Sequence, residues 1–144
     1  MISLDQYWMG RDSKYADELT DEIRLNAQET IDRVNRLLEY AGRSVDDVNS
    51  GWRPPSINEQ IKNAAKRSNH LIGRAVDVRD IDRSLATWVA DNADILLVCD
   101  LYCEDFRWTP TWVHFQTVPP GSGRRIYIPS TAPALDPGFP VTWA

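Results

Sequence analysis

Two histidines occur in the 144-residue chain, and each stands where it could help to hold a divalent metal. His70 falls in Ser68-Asn69-His70-Leu71-Ile72-Gly73-Arg74-Ala75-Val76-Asp77. Gly73 permits a tight turn, after which side chains alternate and Ala75 and Asp77 share one strand face. His114 falls in WVHFQTV, whose aromatic and β-branched residues read as a second strand with Trp112 and Gln116 on the histidine's face. If the two strands pair, His70, Asp77 and His114 converge. Two imidazoles and one carboxylate leave the fourth position of a tetrahedral zinc open for water, as catalytic sites require. Zinc lowers the pKa of such a water to about 7 and polarises a carbonyl. Spacing alone carries little specificity, because histidines also serve in cores and on surfaces, and such a set accepts other divalent ions.

The elements that must position these residues can be read from periodicity. The longest predicted helix covers 20–41, with Thr20 as N-cap and Gly42 closing it. Ile23, Ala27, Ile31, Val34, Leu37 and Leu38 recur along it at helical spacing, forming one apolar stripe for packing on a sheet. Tyr7, Trp8 and Met9 belong to a short preceding element. VDDVNSGWRPP reads as a turn or short helix and then a strand ending at Pro54-Pro55. A helix capped by Ser56 is predicted over 56–66, and AVDV is predicted as a strand. Asp82 to about Cys103 reads as helical, with ILLV open to a strand reading. PPGSG makes a turn before a third strand, RRIYIP. The fold expected is α+β, a small antiparallel sheet carrying the zinc site with helices packed on one face. It forms a single domain with a helical part (1–46), a motif-bearing core (47–130) and a proline-rich tail (131–144).

Composition narrows the partners. Hydrophobic content of 42% with 26% charged residues is ordinary for a globular domain long enough to bury a core. A formal charge of −5 argues against nucleic acid and gives no attraction to an anionic cell wall. No apolar run approaches the ~20 residues that span a bilayer. The stretch MISLDQYWMGRDSKY is too polar for a secretory signal. The expectation is a monomer made in the cytoplasm, associated with a virion or released at lysis. Cys99 and Cys103, four apart as on one helix face, read as buried reduced thiols rather than a disulfide.

The motif S-x-H-x-x-G-x-A-x-D, followed downstream by W-x-H, resembles the zinc D-Ala-D-Ala carboxypeptidases and L-alanyl-D-glutamate endopeptidases. Ser50-Gly51-Trp52-Arg53 is similar to that family's Ser-Gly-Tyr/Trp-Arg segment, and the blocks follow in the same order over about residues 48–128. The resemblance implies one zinc per chain held by His70, Asp77 and His114, and a peptidoglycan peptide as substrate. It makes Arg53 the group that holds a substrate carboxylate or carbonyl, for which a guanidinium fork is suited; a surface salt bridge is the other reading. Ser68 corresponds to the serine beside the metal, contacting substrate or a ligand, or else capping the Asn69-His70 loop. Gln116 could orient His114 from behind.

The sequence departs from the family at one place. The carboxylate that takes the water's proton usually lies three residues before the last histidine, where this chain has Thr111, whose hydroxyl lacks the basicity. Glu104 and Asp105 lie just upstream, and Pro110 turns the chain so that either could fold back over the metal. Glu104 is the expected base because it reaches further, and both remain open to being solvated loop acids. Two functional readings follow: a phage- or prophage-type zinc peptidase, or a zinc-binding assembly or recognition module that has lost catalysis.

Overall fold

The computed structural model describes residues 1–44, 47–61 and 67–129. The end of the helix predicted over 56–66 and the proline-rich tail lie outside the described residues. In chain order the elements are α1 (Leu4–Trp8), α2 (Arg11–Lys14), α3 (Asp21–Ala41), β1 (Val48–Ser50), α4 (Pro55–Asn58), β2 (Ala75–Arg79), α5 (Ser84–Asp91), α6 (Asp94–Val98), β3 (Tyr102–Glu104), β4 (Trp112–Gln116) and β5 (Ile126–Tyr127). The α+β class is as expected.

The helix α3 forms where its end signals place it. Thr20 accepts a hydrogen bond from the Ile23 amide at 3.2 Å, and Asp21 and Glu22 face the positive end of the helix dipole. Gly42 ends the helix in the left-handed region, φ 65°, which favours glycine. Ala27, Ile31, Val34, Leu37 and Leu38 are buried, and Ile23 packs against them, so the apolar stripe is the packed face.

The strand order is β1-β2-β4-β3-β5. Three pairings are antiparallel, and β3 pairs with β5 in parallel. Alternation divides the sheet. Val76, Val78, Cys103, Val113 and Phe115 join the core together with Val34, Leu37 and Leu38 of α3 and Leu85 and Val89 of α5. Residues of the other parity, including Asp77, Glu104, His114 and Gln116, face away from that core. In the register of β2 and β4, Asp77 is directly opposite His114. Opposite residues of an antiparallel pair share a face, so this one register brings two of the three metal-ligating candidates together.

Three local expectations are corrected. The segment from Asp82 to Cys103 is not one helix. It breaks after α5 and again after α6, where Asp100 turns the chain at φ 52°, and its last part becomes β3. Cys103 is therefore a buried strand residue and Cys99 a buried residue at the end of α6, so they share no helix face; both are free thiols. The strand predicted to reach Pro54 stops at Ser50, because Trp52 and Arg53 turn to bond the His70 loop. Ser56 does not cap α4. Pro55, whose fixed φ suits a first helical position, starts the helix instead, and Ser56 donates its hydroxyl to the Glu18 carboxylate at 2.9 Å.

Candidate metal centre

His70 lies in a 3-10 turn (Asn69–Ile72) between α4 and β2, a segment without a sheet ladder to hold it. Other elements supply the restraint. The Ser68 hydroxyl accepts from the His70 amide at 3.2 Å, and the His70 carbonyl accepts from the Arg53 amide at 3.0 Å. Trp52 Nε1 donates to the Leu71 carbonyl at 3.1 Å. From α3, Asn26 donates to the Ile72 carbonyl at 2.9 Å and Thr30 to the Gly73 carbonyl at 2.8 Å. Both are buried polar residues beside the apolar stripe, so α3 both packs the core and fastens the loop. Gly73 adopts φ +76°, and a Cβ there would come 2.8 Å from the Ile23 carbonyl oxygen, so the position demands glycine twice over.

The imidazole of His70 is 3% exposed and that of His114 is 6% exposed. His70 Nδ1 lies 2.8 Å from the Gly51 carbonyl oxygen, which can only accept, so Nδ1 carries the proton and Nε2 points its lone pair inward. That Nε2 lies 3.3 Å from Asp77 Oδ2. His114 Nδ1 lies 2.8 Å from Asp77 Oδ1, and its Nε2 lies 2.8 Å from Gln116 Oε1. The Gln116 amide donates to the Val118 carbonyl at 2.7 Å, which fixes its oxygen toward His114. Both rings are thus held from behind by an acceptor, the arrangement that orients metal-ligating histidines. One donor atom from each of His70, Asp77 and His114 lies within 4.8 Å of the others, and the three can hold a metal ion.

Charges within the group are strongly coupled. Burial disfavours the Asp77 carboxylate, but the fields of His70 and His114 and their hydrogen bonds outweigh it and hold the carboxyl well below the usual range. Burial likewise opposes charge on His114, yet the Asp77 hydrogen bond and nearby Glu104 raise its pKa from 6.5 to about 9. A cluster that keeps a carboxylate ionised between two imidazoles offers the negative charge a divalent cation needs.

The remaining candidates take distinct positions. Glu104 ends β3 with Oε1 4.0 Å from His114 Nε2 and its side chain 23% exposed. Asp105 is 4% exposed and engaged by Arg107, whose Nε and second guanidinium nitrogen donate to its two oxygens at 2.8 and 2.6 Å. Thr111 is exposed just before β4, and its carbonyl accepts from the Asp80 amide at 2.9 Å. Ser68 caps the loop and also lines a cleft of about 360 Å³ together with Arg67, Glu104, His114, Gln116 and Tyr127. Arg53 is not in that lining. It is half-buried, donates to Asn58 Oδ1 at 3.1 Å, and has an Nε without a partner among the described residues. Burial lowers the Arg53 pKa and the Asp77 carboxylate opposes the shift, which places the guanidinium within the field of the cluster.

A larger depression, about 640 Å³, is walled by Arg79, Asp80 and Ser84. Its buried carboxylate is already committed, since Asp80 accepts from the Leu85 and Ala86 amides at 2.9 Å and thereby caps α5. The chemistry lies with the smaller cleft.

Sequence reasoning did not single out the Gly51 carbonyl, Asn26, Thr30 or Tyr127. Gly51 alone carried a signal, through its place in the Ser-Gly-Trp-Arg segment. Comparison with known family models, with curated proteins and with solved structures finds no match. Fold and site together define an α+β domain with a buried His-Asp-His group able to hold a metal ion.

Proposed function

We propose that this chain is a zinc-dependent peptidase that hydrolyses a peptide bond in peptidoglycan-type peptides. The observation that carries the reading is the presence of His114 and the Glu104 carboxylate in the wall of one cleft, beside the three-residue group. Bound zinc would supply a Lewis acid and lower the pKa of water. His70 Nε2, one Asp77 oxygen and His114 Nδ1 would hold it. Glu104 takes a proton from the attacking water and returns it to the leaving amine, as a general base and then a general acid. Arg53 binds a carboxylate or carbonyl of the substrate, and Ser68 offers its hydroxyl to the bound peptide. The Arg107 pair leaves Asp105 unsuited to the proton transfer, which favours Glu104 of the two neighbours.

A second reading, a zinc-binding assembly or recognition module without catalysis, is favoured by Thr111 at the position where the resembled family carries its base. The two readings separate in one experiment. Protein purified without chelator is assayed for metal and incubated with purified muropeptides, beside Glu104→Gln. The peptidase reading expects about one zinc per chain in both proteins. It also expects release of D-Ala or cleavage at L-Ala-D-Glu by wild type, reduced about 10²- to 10⁴-fold in the variant. One zinc with no cleavage of any muropeptide selects the module, and absence of metal removes both.

A further inference from the structure

The parallel strand β5 pairs with β3 through two registered residue pairs only, Cys103 with Ile126 and Glu104 with Tyr127. Such a short edge strand adds little ladder of its own. Its Tyr127 side chain nevertheless reaches across β3, and the phenol oxygen lies 2.5 Å from Gln116 Oε1. Because the Gln116 nitrogen is spent on the Val118 carbonyl, Oε1 is the acceptor and the Tyr127 hydroxyl donates to it. The same oxygen faces His114 Nε2 at 2.8 Å. A carbonyl oxygen has two lone pairs, and both are filled here by named donors. With the amide locked at both ends, the only role left to His114 Nε2 is that of donor.

We propose that Tyr127 is a positioning residue for His114, acting through Gln116 to keep the proton on Nε2 and to turn Nδ1 toward Asp77 and His70. Three observations support this beyond the distances. Gln116 is 5% exposed and Tyr127 is 9% exposed, so little water competes for these bonds. Burial, reinforced by the Glu104 carboxylate, pushes the Tyr127 hydroxyl far above its ordinary pKa, so it remains a donor at any working pH. Glu104 Oε1 lies 4.0 Å from the same His114 nitrogen and is the alternative acceptor if the clamp is lost. Releasing Gln116 would let the ring turn toward that carboxylate and present the wrong nitrogen to the cluster. The importance of this for catalysis rests on the peptidase reading, but the positioning of the ring does not.

The test uses the full chain and reads the ring directly. Proton NMR of the metal-free protein at pH 7 should show a low-field His114 Nε2–H signal that exchanges slowly with water. Gln116→Met should abolish it. Tyr127→Phe, which keeps the ring and removes only the hydroxyl, should retain the fold but shift the signal and speed its exchange. Ile126→Val, on the same strand but outside the clamp, should leave it unmoved. Zinc affinity by chelator competition should fall about 10- to 100-fold in Gln116→Met. In Tyr127→Phe it should fall by roughly three- to tenfold, the weight of one net hydrogen bond. An unaltered His114 signal in Tyr127→Phe, whatever its melting temperature, would overturn the proposal. A wild-type chain that binds no zinc yet loses the signal in both clamp variants would remove the peptidase reading and leave the positioning role standing.

Discussion

Replacing Glu104 by Gln keeps the side chain's size and removes its basicity, whereas replacing Asp105 by Asn breaks its charge pairing with Arg107. The two substitutions therefore separate chemistry from stability at adjacent positions. Asp105→Asn leaves a largely buried Arg107 facing a neutral amide, and a cost of about 1–3 kcal/mol in urea unfolding is expected with metal content unchanged. Any muropeptide cleavage should persist in it, measured at a temperature where the variant is folded. Loss of cleavage in Asp105→Asn but not in Glu104→Gln would exchange their roles. At this scale much was legible: residue type and spacing alone drew attention to His70, Asp77 and His114, and reach alone favoured Glu104. What could not be read was that Arg107, two positions on, occupies Asp105, because a local ion pair has no signature distinct from ordinary alternation of charge.

Between elements, the site depends on contacts that bind the His70 loop to its neighbours. Thr30 sits in the apolar stripe of α3 and is fully buried, donating to both the Asn26 and Gly73 carbonyls. Thr30→Val fits the same space and leaves the Gly73 carbonyl without that donor, so a loss of about 1–3 kcal/mol is expected by urea unfolding. Because that carbonyl ends the loop, zinc affinity should fall with it; a stability loss with unchanged affinity would show that α3 supports only the core. Gly51 makes a sharper case. A Cβ there would lie 2.0 Å from the Tyr7 carbonyl oxygen, a backbone atom that cannot swing aside. Gly51→Ala should cost at least about 1–3 kcal/mol and displace the carbonyl that holds His70 Nδ1, to be seen as lowered melting temperature and weakened metal binding. The long helix, β2 and β4 could be read from period and capping because those signals are local. β3 could not, since its three residues follow a run with helical composition and become a strand only through pairing with β4 and β5. Nor could the parallel direction of β5, which depends on how the chain crosses the sheet.

For the whole molecule, the coupled charges of the centre make stability depend on pH in opposite senses with and without metal. In the metal-free protein the pKa of His114 is raised from 6.5 to about 9, so its stabilising contribution is complete below 6.5 and is lost as pH rises through 9. The carboxyl of Asp77 is depressed, so its contribution is present above its ordinary 3.8 and is lost only as the solution becomes strongly acidic. The metal-free melting temperature should therefore be highest between about pH 4 and 6.5 and decline toward pH 9. The decline should be on the order of 10 °C, corresponding to about 2–3 kcal/mol in a domain of this size. Metal and proton compete for His114 Nδ1, so the stabilisation from stoichiometric zinc should instead grow over the same interval. Differential scanning calorimetry at pH 6, 7.5 and 9, with and without one equivalent of zinc, checks both slopes in one series. A metal-free profile flat from pH 6 to 9 would mean that Asp77 and Glu104 do not hold the His114 proton. A zinc increment independent of pH would mean that His114 Nδ1 is not a donor to the ion. Converging slopes, with zinc increasingly replacing the proton as the charge that satisfies Asp77, are what a buried His-Asp-His centre built to exchange one cation for another requires.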